Sequence, residues 1–166
     1  MKLSIVIPVY NEKDNLPVMF KRLFTAVEAL DCEYELIFVN DGSADNSLEL
    51  LNIEAEKNKA VRVFDLSRNF GQHAAVIAGF SKAKGDLVIT MDADLQNPPE
   101  EIQKLVTEFK NGHDYVGTIR QNRQDTFFRK TASKIMNNFV RKITGIHLND
   151  FGCMLRGYHR DIVEKM

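Results

Sequence analysis

Near-continuous apolar runs alternating with amphipathic stretches leave this chain few ways to fold. LSIVIPVY (3–10), YELIFVN (34–40), VRVFDL (61–66), DLVITMDA (86–93) and DYVGTI (114–119) have the composition of strands. They lack the strict alternation of a sheet with one wet face, so both faces must be covered. Between them, 15–30, 45–58, 72–82 and 99–110 carry helical spacing. Asp45 is placed to cap the second of these, and Pro98 and Pro99 suit the start of the fourth. Such alternation implies right-handed crossovers and an α/β fold: a mostly parallel, twisted sheet with helices on both faces. With 166 residues and no linker, repeat or low-complexity tract, one domain spanning 1–166 is expected.

Ligands of an open parallel sheet collect beyond the carboxyl ends of its strands. Three of those ends carry acids: PVYNE after the first strand, NDGS after the second and DADLQ after the fourth. Glu12, Asp41, Asp92 and Asp94 would therefore converge on one edge. Neither GxGxxG nor GxxxxGK[ST] occurs, which argues against a nicotinamide enzyme or a P-loop protein. A site lined with carboxylates repels phosphate unless a divalent cation stands between them. Mg²⁺ or Mn²⁺ accepts carboxylate oxygens and keeps places for water and substrate phosphates. Asp92-x-Asp94 thus reads as a metal–diphosphate clamp, with the amide oxygen of Gln96 a further candidate ligand. Asp and Asn also cap turns at strand ends, which is the favoured reading for Asp45 and Asn97. Three acidic loops at equivalent strand ends favour a shared ligand for the others. Gly42 is expected to permit a turn, and His73 to be buried or capping; His113 and His159 should lie on the surface.

The net charge of −1 offers no global attraction to nucleic acid, which is not an expected partner. Locally, however, Arg120, Arg123, Arg129, Lys130, Lys134, Arg141 and Lys142 face only Asp125 between positions 118 and 142. Phe128, Ala132, Ile135, Met136, Phe139, Val140 and Ile143 give the same stretch a helical apolar stripe. Its basic residues can be an exposed helix face or can attract an anionic membrane surface. Cys32 and Cys153 have neither disulfide-framework nor metal-ligand spacing, and Cys153 is expected to pack. No secretory signal and no apolar stretch of about 20 residues is present, so the chain as given should be soluble. It reaches Met166 within an apparent helix start, which suggests a fragment of a longer protein.

SIVIPVYNE, NDGSADNS and DADLQNPPEE, in this order and spacing, resemble family 2 glycosyltransferases of the GT-A fold. RNFGQHAAVIAGF, GTIRQNRQDTFFRKTASKIMN and DFGCMLRGYHRDIV narrow the likeness to the group acting on polyprenyl phosphates, over essentially the whole chain. The resemblance implies inverting transfer from a UDP-sugar donor to a lipid acceptor such as undecaprenyl phosphate, assisted by Mg²⁺ or Mn²⁺. It implies that Pro8, Tyr10 and Glu12 frame the base, that Asp41 holds the uracil or ribose, and that Asp92 lies near nucleotide and metal. Asp94 and Gln96 would reach the cation, and Arg120, Arg129 and Ser133 the acceptor phosphate, with Arg129 foremost. Asp150 would face sugar or acceptor, or serve a turn; Tyr10 would stack on the base, or merely pack. Members of the group carry two membrane-spanning helices after the catalytic domain, which implies the cytoplasmic face of the inner membrane. Two other readings stand: a soluble family 2 enzyme acting on a saccharide hydroxyl, and a non-catalytic sugar-nucleotide-binding domain. Homo-oligomerisation and the sugar itself stay open.

Overall fold

The computed structural model describes residues 1–118 and 153–166. In chain order its elements are β1 (Lys2–Val9), α1 (Leu16–Glu28), β2 (Glu33–Asn40), α2 (Ser47–Lys57), β3 (Val61–Asp65), α3 (Gln72–Phe80) and β4 (Leu87–Thr90). A 3₁₀ turn (Pro99–Glu101) then runs into α4 (Ile102–Lys110), followed by β5 (Tyr115–Gly117), β6 (Arg156–His159) and α5 (Arg160–Val163). One six-stranded sheet results, ordered β3-β2-β1-β4-β6-β5. The first four are mutually parallel, whereas β6 runs antiparallel to both β4 and β5. The register aligns Val9 with Asn40 and Val6 with Thr90, so the strands preceding the three acidic loops end on the same edge.

Residues of period two divide the core between the two faces of the sheet. Leu3, Ile5, Ile7, Leu36, Phe38, Leu87 and Ile89 pack on one face beneath α1, α2 and α4. Val6, Ile37, Val39 and Val88 pack on the other beneath α3, where Tyr158 joins them. Helices thus cover both faces, which is why β1, β2 and β4 are apolar nearly throughout. Two expectations need correction here. His73 is exposed in the first turn of α3, because its neighbours Ala75 and Val76 take the buried positions. Asn97 is buried and caps no helix; its side-chain oxygen accepts from the Cys153 thiol at 3.2 Å. Cys153 is 1% exposed and packs as expected. His113 is exposed; His159, partly covered by the ring of Phe109, accepts from the Asp161 N–H at 3.3 Å at the start of α5. Among the described residues no helix is long and apolar enough to cross a membrane.

At the edge opposite the acidic loops, one carboxylate joins four segments. Glu35, 5% exposed, accepts from Ser4 Oγ at 2.7 Å, Arg62 Nη1 at 2.8 Å and the Lys84 N–H at 2.7 Å. Burial pushes its carboxyl up, but hydrogen bonds from Ser4, Arg62 and Lys84 outweigh that and hold it below the ordinary glutamate value. Its contribution to stability is therefore fully present above the unfolded-chain value of about 4.3 and is lost as pH falls through the folded value. Glu35→Ala should cost about 2–4 kcal/mol at neutral pH, because Arg62 and the Lys84 N–H lose their acceptor. Urea unfolding at neutral pH checks the magnitude. Repeated near pH 3, it should show the gap between variant and wild type narrowing.

Candidate functional site

The loops after β1 and β2 are stitched together by short polar side chains. Asn11 takes the left-handed conformation, φ 55°, which asparagine tolerates. Its N–H donates to Ser43 Oγ at 3.0 Å, and its side-chain oxygen accepts from the Ala44 N–H at 2.8 Å. The Glu12 N–H donates to Ser47 Oγ at 2.9 Å, and Glu12 Oε2 accepts from Asn15 Nδ2 at 2.6 Å. The N-cap of α2 is Asn46 rather than the expected Asp45. Asp45, one residue earlier, closes the turn into the helix, its Oδ1 accepting from the Ser47 N–H at 2.9 Å and its Oδ2 from the Lys13 N–H at 3.2 Å. Burial pushes the Asp45 carboxyl up, but its bonds to Ser47 and Lys13 prevail and hold it below the usual aspartate value.

Asp41 organises a third loop. Only 2% exposed, it accepts the Phe70 N–H at 2.8 Å on one oxygen and the Gly71 N–H at 3.0 Å on the other. Each carboxylate oxygen has a second lone pair, so a nucleoside group can still be accepted from the cleft side. Gly42 follows at φ 67°, and a Cβ placed there would lie 2.4 Å from the Arg68 carbonyl carbon. Glycine serves two demands at this point, a left-handed turn and the near contact of two backbones.

The fourth strand stops at Thr90, sooner than the apolar run suggests, and Met91–Asp94 leave the sheet. Gln72 Nε2 donates to Asp92 Oδ1. Asp94 Oδ1 accepts the Gln96 N–H at 3.0 Å, which closes a turn through Leu95 at φ 62°. Left-handed leucine costs about 1–2 kcal/mol, which its packing against the core offsets. Thr90 Oγ1 donates to the Met154 carbonyl at 2.6 Å and so brings the segment before β6 to the same place.

These loops enclose a cleft of about 410 Å³ lined by Pro8, Tyr10, Glu12, Asp41, Asp92 and Asp94. Every described residue expected to contact nucleotide is on that wall. Tyr10 is 48% exposed, its ring available to a planar ligand. Gln96 does not line the cleft and is exposed. Arg120, Arg129, Ser133 and Asp150 lie outside the described residues. Asn69, Gln72 and Met154 also line the cleft and were not anticipated, because isolated polar or apolar residues carry no periodic signal. The glutamates of NPPEE turn away: Glu100 binds Arg22 at 2.7 Å and Glu101 binds Lys104 at 2.7 Å.

Among the described residues, no three His, Cys, Asp or Glu groups converge as an all-protein metal cage. Two aspartates one residue apart fit a different habit. A small hard cation is held by one or two carboxylates while diphosphate and water complete its shell. The donor set of Asp92 and Asp94 suits Mg²⁺ or Mn²⁺ in that mode.

The chain matches the glycosyl transferase family 2 model over residues 4–166. It is similar to TarS 1–349 of S. aureus in complex with UDP-GlcNAc, with TM-score 0.65, 19% identity, and 99% of this chain and 47% of that one covered. Glucosyl-3-phosphoglycerate synthase from Mycobacterium tuberculosis, in complex with Mn²⁺, UDP and glucosyl-3-phosphoglycerate, gives 0.71 at 16% identity, covering 97% and 57%. Mannosyltransferase PcManGT from Pyrobaculum calidifontis, in complex with GDP-Man and Mn²⁺, gives 0.67 at 18%, covering 98% and 46%. The chain spans about half the length of these structures. Its mixed α/β architecture is that of the GT-A glycosyltransferases.

Proposed function

We propose that this chain, which belongs to glycosyl transferase family 2, is the catalytic part of an enzyme that moves a sugar from a UDP-sugar onto a polyprenyl phosphate, inverting the anomeric centre. The observation that carries the donor half is the cleft itself. Residues from three separate loops, Tyr10 and Glu12, Asp41, and Asp92 and Asp94, line one concave wall at the carboxyl edge of the sheet. Tyr10 offers its ring to the base and Asp41 its remaining lone pairs to a uracil N–H or ribose hydroxyl. Asp92 and Asp94 would hold Mg²⁺ or Mn²⁺, with Gln96 nearby on the same turn. A divalent ion bound there supplies the positive charge that steadies departing UDP.

The acceptor half follows from the resemblance in the basic stretch. A lipid phosphate has a second pKa of about 6, so near neutral pH it is already largely a nucleophilic dianion. What the protein must supply is positioning. Arg129, with Arg120 and Ser133, suits that task, because a guanidinium forks onto two phosphate oxygens. Within the polyprenyl-phosphate group the sequence looks most like undecaprenyl-phosphate 4-deoxy-4-formamido-L-arabinose transferases. On this reading the enzyme works at the cytoplasmic face of the inner membrane, in cell-envelope lipopolysaccharide chemistry.

Arg129→Ala should remove transfer to undecaprenyl phosphate by at least about 100-fold while UDP affinity stays unchanged. Separate measurement of nucleotide binding and of glycosyl-lipid formation, with a panel of UDP-sugars and Mn²⁺, checks it. Transfer to a saccharide hydroxyl instead would favour a soluble family 2 enzyme. UDP-sugar binding without any turnover would favour a binding domain.

A further inference from the structure

Gln72 is the first residue of α3, its side chain reaches the cleft, and its amide donates to Asp92 Oδ1. The chemistry of the position is narrow. An amide can hold a carboxylate oxygen without adding charge. Lysine would neutralise Asp92 and compete with a cation for it, and glutamate would set a third negative group beside the pair. The amide is itself held from behind. Asp41 accepts the N–H groups of Phe70 and Gly71, and Asn69 Oδ1 accepts the Gly71 N–H at 3.0 Å, so the backbone just before Gln72 is tied at two successive residues. Gly42, unable to carry a Cβ against Arg68, keeps that loop seated on the β2 exit.

We propose that Gln72 is a positioning residue of the donor site: its amide holds one oxygen of Asp92 so that the carboxylate keeps a single orientation toward the cleft, and Asp41 anchors that amide through the 70–71 backbone. This rests on the reading that the cleft takes a nucleoside diphosphate with a divalent cation. A carboxylate oriented before the cation arrives loses less side-chain freedom on binding. Outer partners of metal-holding carboxylates are commonly worth about 10–100-fold in metal affinity. Asp41 on this account has a part in cation binding although it lies on another loop.

The decisive variant is Gln72→Met, which keeps the length and bulk of the side chain and removes the donor. Mn²⁺ affinity in the presence of UDP, followed by the electron paramagnetic resonance of free Mn²⁺, should weaken by about 10–100-fold. The thermal midpoint should hold, because Gln72 is exposed. UDP affinity without metal should also hold. A packing role would leave Mn²⁺ affinity intact in Gln72→Met and lower it only in Gln72→Ala, and that pattern overturns the proposal. Wild-type protein is titrated first. If it binds Mn²⁺ no better with UDP than without, the donor-site reading fails and the role of Gln72 falls with it. If wild type responds and Gln72→Met matches it, Gln72 alone is misassigned.

Discussion

Asp94→Ala should abolish sugar transfer if the proposed function holds, lowering kcat by roughly 10²–10³-fold or more, the scale on which losing one charge-stabilising group at a developing anion is felt. The argument is electrostatic. In the proposed reaction, breaking the bond between anomeric carbon and diphosphate would leave negative charge inside a cleft whose described carboxylate lining is Glu12, Asp41, Asp92 and Asp94. Without a cation that surface repels the leaving group, and Asp94 is one of the two aspartates that would hold it. The fold should survive, because Asp94 is only half-buried and its bond among the described residues closes a local turn. Asp94→Asn separates the two roles. It keeps an oxygen for the Gln96 N–H but lacks the charge, so it should regain any lost stability and none of the activity. Turnover like the wild type in either variant, with Mn²⁺ added, is the result that removes Asp94 from the mechanism.

Gly42→Ala is the largest expected structural effect. The residue sits at φ 67°, and the added methyl would lie 2.4 Å from Arg68 C and 2.6 Å from Asn69 N. Backbone, not a flexible side chain, stands in the way. A left-handed non-glycine residue costs about 1–2 kcal/mol, and forcing apart packed backbone adds about 1–3 kcal/mol. A loss of about 2–5 kcal/mol follows, with each kcal/mol lowering the midpoint by about 2–4 °C for a chain of this size. The displaced loop carries Phe70 and Gly71, the two partners of Asp41. UDP affinity should therefore fall along with stability. Thermal unfolding and calorimetric UDP titration measure the two effects, and a wild-type midpoint would show that the loop yields freely.

How far the sequence can be read depends on what each position must bury. The helix of 16–28 announces itself because it must present apolar side chains at a fixed period, and the strands of 2–9 and 33–40 because both their faces are covered. β6 was missed for the converse reason. Its central Gly157 is covered by Leu87 and Leu105, whose atoms would lie 3.4 and 3.7 Å from a Cβ there, so on that face the strand meets the core without a side chain, and Tyr158 alone packs on the other. The expected last strand, 114–119, shortens to Tyr115–Gly117, and its direction relative to the sheet could not be read without β6. Asn97 shows the same limit among polar residues. Asparagine before a proline pair suits a cap, and only packing reveals that it meets Cys153, a residue 56 positions away.

The acids were legible as a set because parallel topology sends the carboxyl ends of β1, β2 and β4 to one edge, and topology follows from the alternation of apolar runs. That much is local pattern plus chain connectivity, and the sequence by itself determined it: the α/β class, the edge that carries the site, and Glu12, Asp41, Asp92 and Asp94 as its acidic members. The tertiary structure decided which of their oxygens are already engaged. Asp41 spends a lone pair of each oxygen on backbone 29 and 30 residues onward, Asp92 meets Gln72, and the glutamates beside the prolines leave for Arg22 and Lys104. Hydrogen bonds have no period along a chain. They depend on ångström-scale distances between segments that only folding brings together.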